Sequence, residues 1–372
     1  MNFGFTEEQE LLREQAQRFV EQRCTMPRVR EWAASDQGFS RELFAEIAEL
    51  GWTGLLIPEA HGGAGLGWVE AALVLEVIGS ALVPGPLAST LLAGAAIAEL
   101  GSDAQKQRYL PELAAGKRIG TVALLEGDGS LDVGGVAAEA KGEGGGLVAT
   151  GEKAHVLDAA AADLFVVALR GEQGLLLCVV EGDAEGVSAQ RQPIIDRTKH
   201  LGSVRLEGAS VPAEAILCEG AEAEAAYRRL FDLGAVAVTA EMVGAADAAH
   251  QLTVGYAKER TQFGRPIGQY QGVKHPLAEM FVDIATFRSL LYYAAWVAAG
   301  QPDALRRAVS MAKAYASDAF ARVGIDTIQL HGAIGYTAEY DAQLYLKRSK
   351  FARPTFGDSD YHYERVAQLG GL

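Results

Sequence analysis

Residues 222–260 are rich in alanine and nearly free of helix breakers, and two further apolar-periodic runs follow at about 275–299 and 303–330. Three helices of that length joined by short connections must lie antiparallel and bury their apolar faces on one another, so this part of the chain reads as a helical bundle. The middle of the chain has a different composition. Glycine and β-branched residues dominate 116–218, where the short apolar runs Ile119–Leu125, Leu164–Leu169, Leu175–Val180 and Val204–Leu206 are separated by turn-like stretches at 141–146 and 171–174. Many short strands at this spacing predict a small antiparallel barrel or sandwich. The first 115 residues return to helix. Thr6 and Gln9 form a capping box ahead of a first helix, Leu43, Ile47 and Leu50 space a second over about 40–50 that stops at Gly51, and a third is expected from about Val69 to Ala81.

A single hydrophobic core stops growing near ~250–300 residues, so a chain of 372 is expected to hold two or three domains. The charge sum, 33 basic minus 48 acidic residues, is −15, which argues against a binder of DNA backbones and leaves room for a local basic patch for a phosphorylated ligand. Cys24, Cys178 and Cys218 are far apart and form no CxxC pair, which fits a reducing cytoplasm and argues against structural zinc. Glu7, Glu8 and Glu10 stand where a signal peptide would be basic, and the apolar tract 71–99 is broken by Glu76, Pro84 and Pro86, so no membrane span is expected.

The glycine-rich stretch Gly62-Gly63-Ala64-Gly65-Leu66-Gly67 has neither the spacing nor the preceding strand of a dinucleotide fingerprint and reads as a loop; the glycine run 141–146 reads as a hairpin tip. No Walker, HExxH, GxSxG or EF-hand sequence is present, and the seven histidines are scattered. Two segments carry more information. In Arg260-Thr-Gln262-Phe263-Gly264-Arg265-Pro266, a long helix ends and Gly264 and Pro266 force a turn. Arg260 has a structural explanation as a cation at a helix C-terminus, but an arginine fork beside an aromatic ring also suits a diphosphate carrying a flat ring. In Gln329-Leu330-His331-Gly332-Ala333-Ile334-Gly335-Tyr336, the two glycines allow close backbone approach or simply end a helix.

With these two segments the chain resembles the acyl-CoA dehydrogenase family over essentially its whole length. They look like that family's arginine-x-x-phenylalanine-glycine and glutamine-x-x-glycine-glycine segments. Leu50-Gly51-Trp52-Thr53-Gly54-Leu55-Leu56-Ile57-Pro58-Glu59 resembles its helix-to-loop signature, and Val211-Pro212-Ala213 resembles the end of its middle domain. The resemblance implies an α+β multidomain fold. Residues 1–115 would form an N-terminal helical domain, 116–218 a middle antiparallel β-barrel and 219–372 a C-terminal four-helix bundle. It implies FAD as cofactor, an acyl-CoA thioester as substrate and α,β-desaturation as the reaction. In this chemistry a carboxylate removes the α-proton, the flavin takes the β-hydrogen as hydride, and an electron-transfer flavoprotein or similar acceptor reoxidises it. It also implies a tetramer, in which Arg260, Gln262 and Phe263, with Gln329, Leu330 and Gly332, reach the FAD of the neighbouring chain. The family's second glycine is Ala333 here.

Other positions depart from the family. The glutamate that usually serves as base is replaced by Phe356 in Pro354-Thr355-Phe356-Gly357-Asp358. The alternative glutamate site, counted back from Arg260, is Gly234, followed by Ala235 in place of an arginine. Asp358 is the expected catalytic carboxylate, with a cofactor contact or a solvated acid as its other readings. Glu241, seven residues after Gly234, is expected to be a structural acid. In Leu124-Leu125-Glu126-Gly127-Asp128-Gly129-Ser130-Leu131-Asp132, Leu125 replaces the hydroxyl that normally faces the flavin and cannot make that hydrogen bond. Residues lent to a neighbour are kept while the chain's own site is altered. That pattern suits one subunit of an α2β2 heterotetramer with a paralogue, of the kind that acts on bulky acyl-CoAs such as steroid side chains, as well as a homotetramer. The rival readings are a non-catalytic partner that completes a paralogue's FAD site and a related acyl-CoA or nitroalkane oxidase.

Overall fold

A computed structural model describes residues 4–127, 129–143 and 145–372; Asp128 of the flavin-side stretch and Gly144 of the expected hairpin tip lie outside the described residues. Among the described residues six helices come first: α1 (Glu7–Arg23), α2 (Met26–Ala34), α3 (Arg41–Glu49), α4 (Trp68–Ser80), α5 (Leu87–Leu100) and α6 (Asp103–Ala114). Eight strands follow: β1 (Gly120–Ala123), β2 (Glu139–Glu143), β3 (Gly146–Leu157), β4 (Leu164–Gly171), β5 (Gly174–Glu181), β6 (Val187–Gln192), β7 (Leu201–Val211) and β8 (Ile216–Glu219). The remainder is α7 (Gly220–Glu259), a hairpin of β9 (Thr261–Gln262) and β10 (Arg265–Pro266), then α8 (Gln271–Gly300), α9 (Pro302–His331), α10 (Ala342–Ala352) and α11 (Ser359–Leu369). The helical, β, helical order is the expected one, and the Thr6–Gln9 capping box is present. Among the described residues no helix is long and apolar enough to cross a membrane, and no group of His, Cys, Asp and Glu is placed to hold a metal ion.

By contact the chain forms two bodies: residues up to Ala34 with Trp68–Val83 and Ala235–Leu372, and Ser35–Gly67 with Pro84–Gly234. In the first body α4 and α7 meet backbone to backbone. A Cβ on Gly244 would lie 1.7 Å from the Glu76 carbonyl oxygen, and one on Gly79 would lie 2.3 Å from that of Glu241. Two helices approach this closely only where neither carries a side chain at the crossing. Glu76, a polar break in the apolar tract, anchors α4 to α8 by accepting from Arg288 Nε (2.9 Å) and Tyr292 Oη (2.7 Å). Glu241 is the structural acid the sequence suggested, buried in an ion pair with the equally buried Arg348 at 3.6 Å.

The second body is built on one sheet with the order β6-β7-β3-β2-β4-β5-β8. Its pairs are antiparallel as expected, except on one edge of β4, where β1 runs parallel to Leu164–Val167 and β2 joins, also parallel, at Arg170. The continuous apolar runs of β4 and β5 are buried along six consecutive residues each, because both faces of these strands are covered. Between β1 and β2 the described residues 124–127 and 129–138 lie outside the sheet, and they include most of the stretch expected to face the flavin.

Candidate functional site

The first body carries both long motifs. Helix α7 ends at Glu259, and the chain turns through Phe263 and Gly264, whose φ angles are 52° and 79°. Two successive positive φ values are the geometry of a two-residue turn whose twist matches a hairpin, and Phe at such a position is uncommon. Tyr270 braces the turn: its hydroxyl donates to the Gln262 carbonyl (3.0 Å), and its ring lies 4.2 Å beneath the Arg265 guanidinium. The turn holds Phe263 out at 93% exposure, with Arg260 and Gln262 also exposed.

The second motif lies beside the first. Gly332, at φ 64°, ends α9, leaving Gln329 exposed and Leu330 half-buried. The rings of Tyr256, one turn before Arg260, and His331 pack with centroids 4.5 Å apart and planes tilted by 33°, and the Thr253 and Thr327 hydroxyls meet at 3.3 Å. Burial holds His331 below the usual histidine pKa. Arg260, Gln262, Phe263, Gln329, Leu330 and Gly332 thus form one group at the paired ends of α7 and α9. Among the described residues the side chains of Arg260, Gln262 and Gln329 make no hydrogen bond or ion pair within the chain. An exposed guanidinium and two amides without partners, beside an exposed ring, fit a diphosphate joined to a planar base.

Asp358 is not part of that group. It caps α11, with Oδ1 accepting from the Tyr361 backbone N–H at 2.9 Å, and it is half-buried. Among the described residues Oδ2 has no partner. The turn before it is strained: Phe356, buried at the family's glutamate position, has φ 55°, and Gly357 has φ 89°. Two buried side chains hold this turn from below. Lys313 Nζ donates to the carbonyls of Gly357 (2.7 Å) and Arg353 (2.8 Å) and lies 3.1 Å from Ser317 Oγ. His362 Nε2 lies 2.8 Å from the Phe356 carbonyl, which can only accept, so Nε2 carries the proton and Nδ1 accepts from Ser310 Oγ (3.2 Å). Lys313 and Gln329 are sixteen residues apart on α9, which separates the two features by about 24 Å along the helix.

In the second body Leu125 is half-buried at the start of the 124–138 excursion, and its carbonyl accepts from Ala154 N–H at 2.9 Å. Glu126 closes the excursion. Its carboxylate accepts from Ala137 and Ala138 N–H (3.1 and 3.0 Å) and from the buried Lys153 ammonium (2.6 Å). Burial depresses the Lys153 pKa, and Glu126 opposes that shift. Opposite the excursion β3 has a register break between Lys153 and Val156, where His155 takes φ 55° and points its ring to solvent. Sequence reading did not single out Lys313, His362 or the Glu126–Lys153 clamp. A lone lysine on the Ala/Ser-rich face 308–317 was the available signal for Lys313.

A helical, β and helical chain with an exposed Arg, Gln and Phe group on a hairpin has the build of a nucleotide-cofactor oxidoreductase. Residues 6–117 match the family description "Acyl-CoA dehydrogenase, N-terminal domain" and residues 224–370 match "Acyl-CoA dehydrogenase, C-terminal domain". The chain belongs to the acyl-CoA dehydrogenase family, FAD-dependent oxidoreductases. It is 33% identical over 345 residues to acyl-CoA dehydrogenase IpdE2 of Mycolicibacterium smegmatis, covering 92% of this chain and 93% of the relative. It is 31% identical to benzylmalonyl-CoA dehydrogenase of Aromatoleum aromaticum, with 97% of each covered. Among solved structures, the ChsE4-ChsE5 complex of Mycobacterium tuberculosis superposes with a TM-score of 0.91 at 29% identity, covering 100% of this chain and 99% of that one. A Tcur3481-Tcur3483 steroid ACAD superposes with a TM-score of 0.89 at 33% identity, covering 98% of each.

Proposed function

We propose that this chain catalyses the α,β-desaturation of an acyl-CoA thioester as one subunit of an α2β2 assembly with a paralogue, with a bulky acyl group such as a steroid side chain as substrate class. The observation that carries the reading is the division of the first body. One end of α9 bears an exposed, unpartnered group suited to a neighbour's FAD, and about 24 Å along it a strained turn presents an anchored carboxylate. Arg260, Gln262, Phe263, Gln329, Leu330 and Gly332 would hold the adenosine-diphosphate half of the partner's FAD. The flavin, when bound, supplies hydride acceptance. Asp358 would take the α-proton through Oδ2 while Oδ1 stays fixed on α11, which orients the base. Two relatives whose structures pair different chains support the heteromeric arrangement. An electron-transfer flavoprotein is the acceptor class we assign to the reoxidation, and the cytoplasm is the compartment.

The visible spectrum of the purified protein tests the assembly. Expressed alone, the chain should carry well under one FAD per chain; co-expressed with a paralogue, it should purify as a yellow heterotetramer. A homotetramer with one FAD per chain, bleached by an acyl-CoA, sinks the heteromeric reading. Asp358→Asn tests the base, because asparagine caps a helix as well as aspartate does but accepts no proton. Flavin reduction should slow at least ~100-fold, the scale of general base catalysis, with the thermal midpoint unchanged. The second reading, a non-catalytic partner, rests on Phe356 at the glutamate position, and undiminished turnover in the Asp358→Asn assembly would support it.

A further inference from the structure

We propose that Lys313 is a positioning residue for the 356–358 turn, acting through the Gly357 and Arg353 carbonyls in either protonation state, with the Ser317 hydroxyl as the group that reverses between them. As an ammonium, Lys313 donates to all three oxygens that surround it: Gly357 O at 2.7 Å, Arg353 O at 2.8 Å and Ser317 Oγ at 3.1 Å. As an amine it keeps two N–H donors for the two carbonyls, and its lone pair accepts from the Ser317 hydroxyl, which can donate as well as accept. No bond to the turn is lost in the exchange. Both states are within reach, because burial brings the Lys313 pKa down to about 7 against the pull of Asp358, with Arg353 pushing the same way as burial. The groups facing Lys313 are Ser317 on α9, Arg353 at the end of α10 (itself 3.3 Å from Asp318), Gly357 and Asp358 in the turn, and His362 on α11.

A buried cation and a strained non-glycine residue are costly features for a turn that serves only to connect two helices. Apolar packing would do that at lower free energy. Here consecutive carbonyls, those of Phe356 and Gly357, are each taken by a buried side chain from a different helix. This over-determines the turn, and Asp358 follows it directly. The role of the turn in the reaction rests on the function proposed above; the bonding role of Lys313 does not.

Backbone amide exchange on the full-length purified protein tests the bonding role. In Lys313→Met the segment 354–362 should exchange at least ~10-fold faster, while peptides from α8 keep their protection and the thermal midpoint does not fall. His362→Gln, which retains a donor at a similar reach, should keep the segment protected, and His362→Leu should not. Wild-type protection of the segment, corrected for intrinsic rates, should not fall between pH 6 and pH 8.5, because loss of the Lys313 proton costs no bond to the turn. Unchanged protection in Lys313→Met overturns the proposal, and so does loss of protection spread through α8 and α9. The catalytic arm uses the assembly co-expressed with the paralogue, with cholanoyl-CoA, a steroid side-chain thioester, and hexanoyl-CoA as reductants of the bound flavin. Lys313→Met should lower the rate constant at least ~10-fold with KM within about threefold. If neither thioester reduces the wild-type flavin, that failure falls on the proposed function, and amide exchange still decides the part played by Lys313.

Discussion

Gly244→Ala should destabilise the protein by about 3 kcal/mol or more, the upper range for forcing extra volume into a packed interior. The substitution adds one methyl group. On this backbone the methyl carbon would stand 1.7 Å from the Glu76 carbonyl oxygen and 2.8 Å from the Ser80 nitrogen. Both are main-chain atoms of α4, so no rotamer change relieves the overlap, and the two helices must separate. Separation would also disturb the Glu76 carboxylate that Arg288 and Tyr292 of α8 hold. Gly255 provides an internal control on the same helix. A Cβ there meets nothing within 4 Å, so Gly255→Ala should be neutral or stabilising by up to about 1 kcal/mol, the intrinsic helix preference of alanine over glycine. Urea unfolding of the two variants side by side measures the contrast. Equal midpoints would show that the α4–α7 crossing is not tight.

How far these features could be read in the sequence follows from the range of the interactions involved. The capping box at Thr6 and Gln9 is a contact three residues long, and it forms as its residue types dictate. The long C-terminal helices were legible because periodicity is local: α7, α8 and α9 contain the expected runs with ends shifted by a few residues. Glycine spacing marked the turn at Gly264 and the end of α9 at Gly332, but not the positive φ of Phe263, which depends on the hairpin closing over Tyr270. Glu76 looked like a break in an apolar tract, and only the arrival of Arg288 and Tyr292, more than two hundred residues later in the chain, makes it an anchor. Lys313 was invisible for the same reason. Its partners lie forty and forty-four residues away, and a lysine on an alanine-rich helix is normally solvated. Asp358 could be placed by its distance from the family's glutamate, whereas its capping bond depends on where α11 begins.

The same buried lysine should give the protein a stability that climbs with pH above neutrality. Lys313 titrates near 7 when folded and near ~10.4 when unfolded. Between those values the unfolded chain binds the extra proton, so the unfolding free energy increases with pH. The contribution is complete above the unfolded pKa and is lost as pH falls toward the folded one, where the buried group must carry its charge. Lys313→Met has no such proton, so it should be more stable than wild type at pH 7, and the difference should shrink steadily to pH 10. His362 produces the matching effect on the acid side. Burial, reinforced by the Lys313 charge, lowers its pKa to about 3, so its share of stability is present above pH ~6.5 and is lost as pH falls toward 3. The two groups are coupled through space. Removing the Lys313 charge should raise the folded pKa of His362 and make Lys313→Met less sensitive to acid than the wild type. Thermal midpoints of both proteins from pH 4 to pH 10 test this. Parallel curves across the whole range would mean that Lys313 keeps an ordinary pKa and is reached by water.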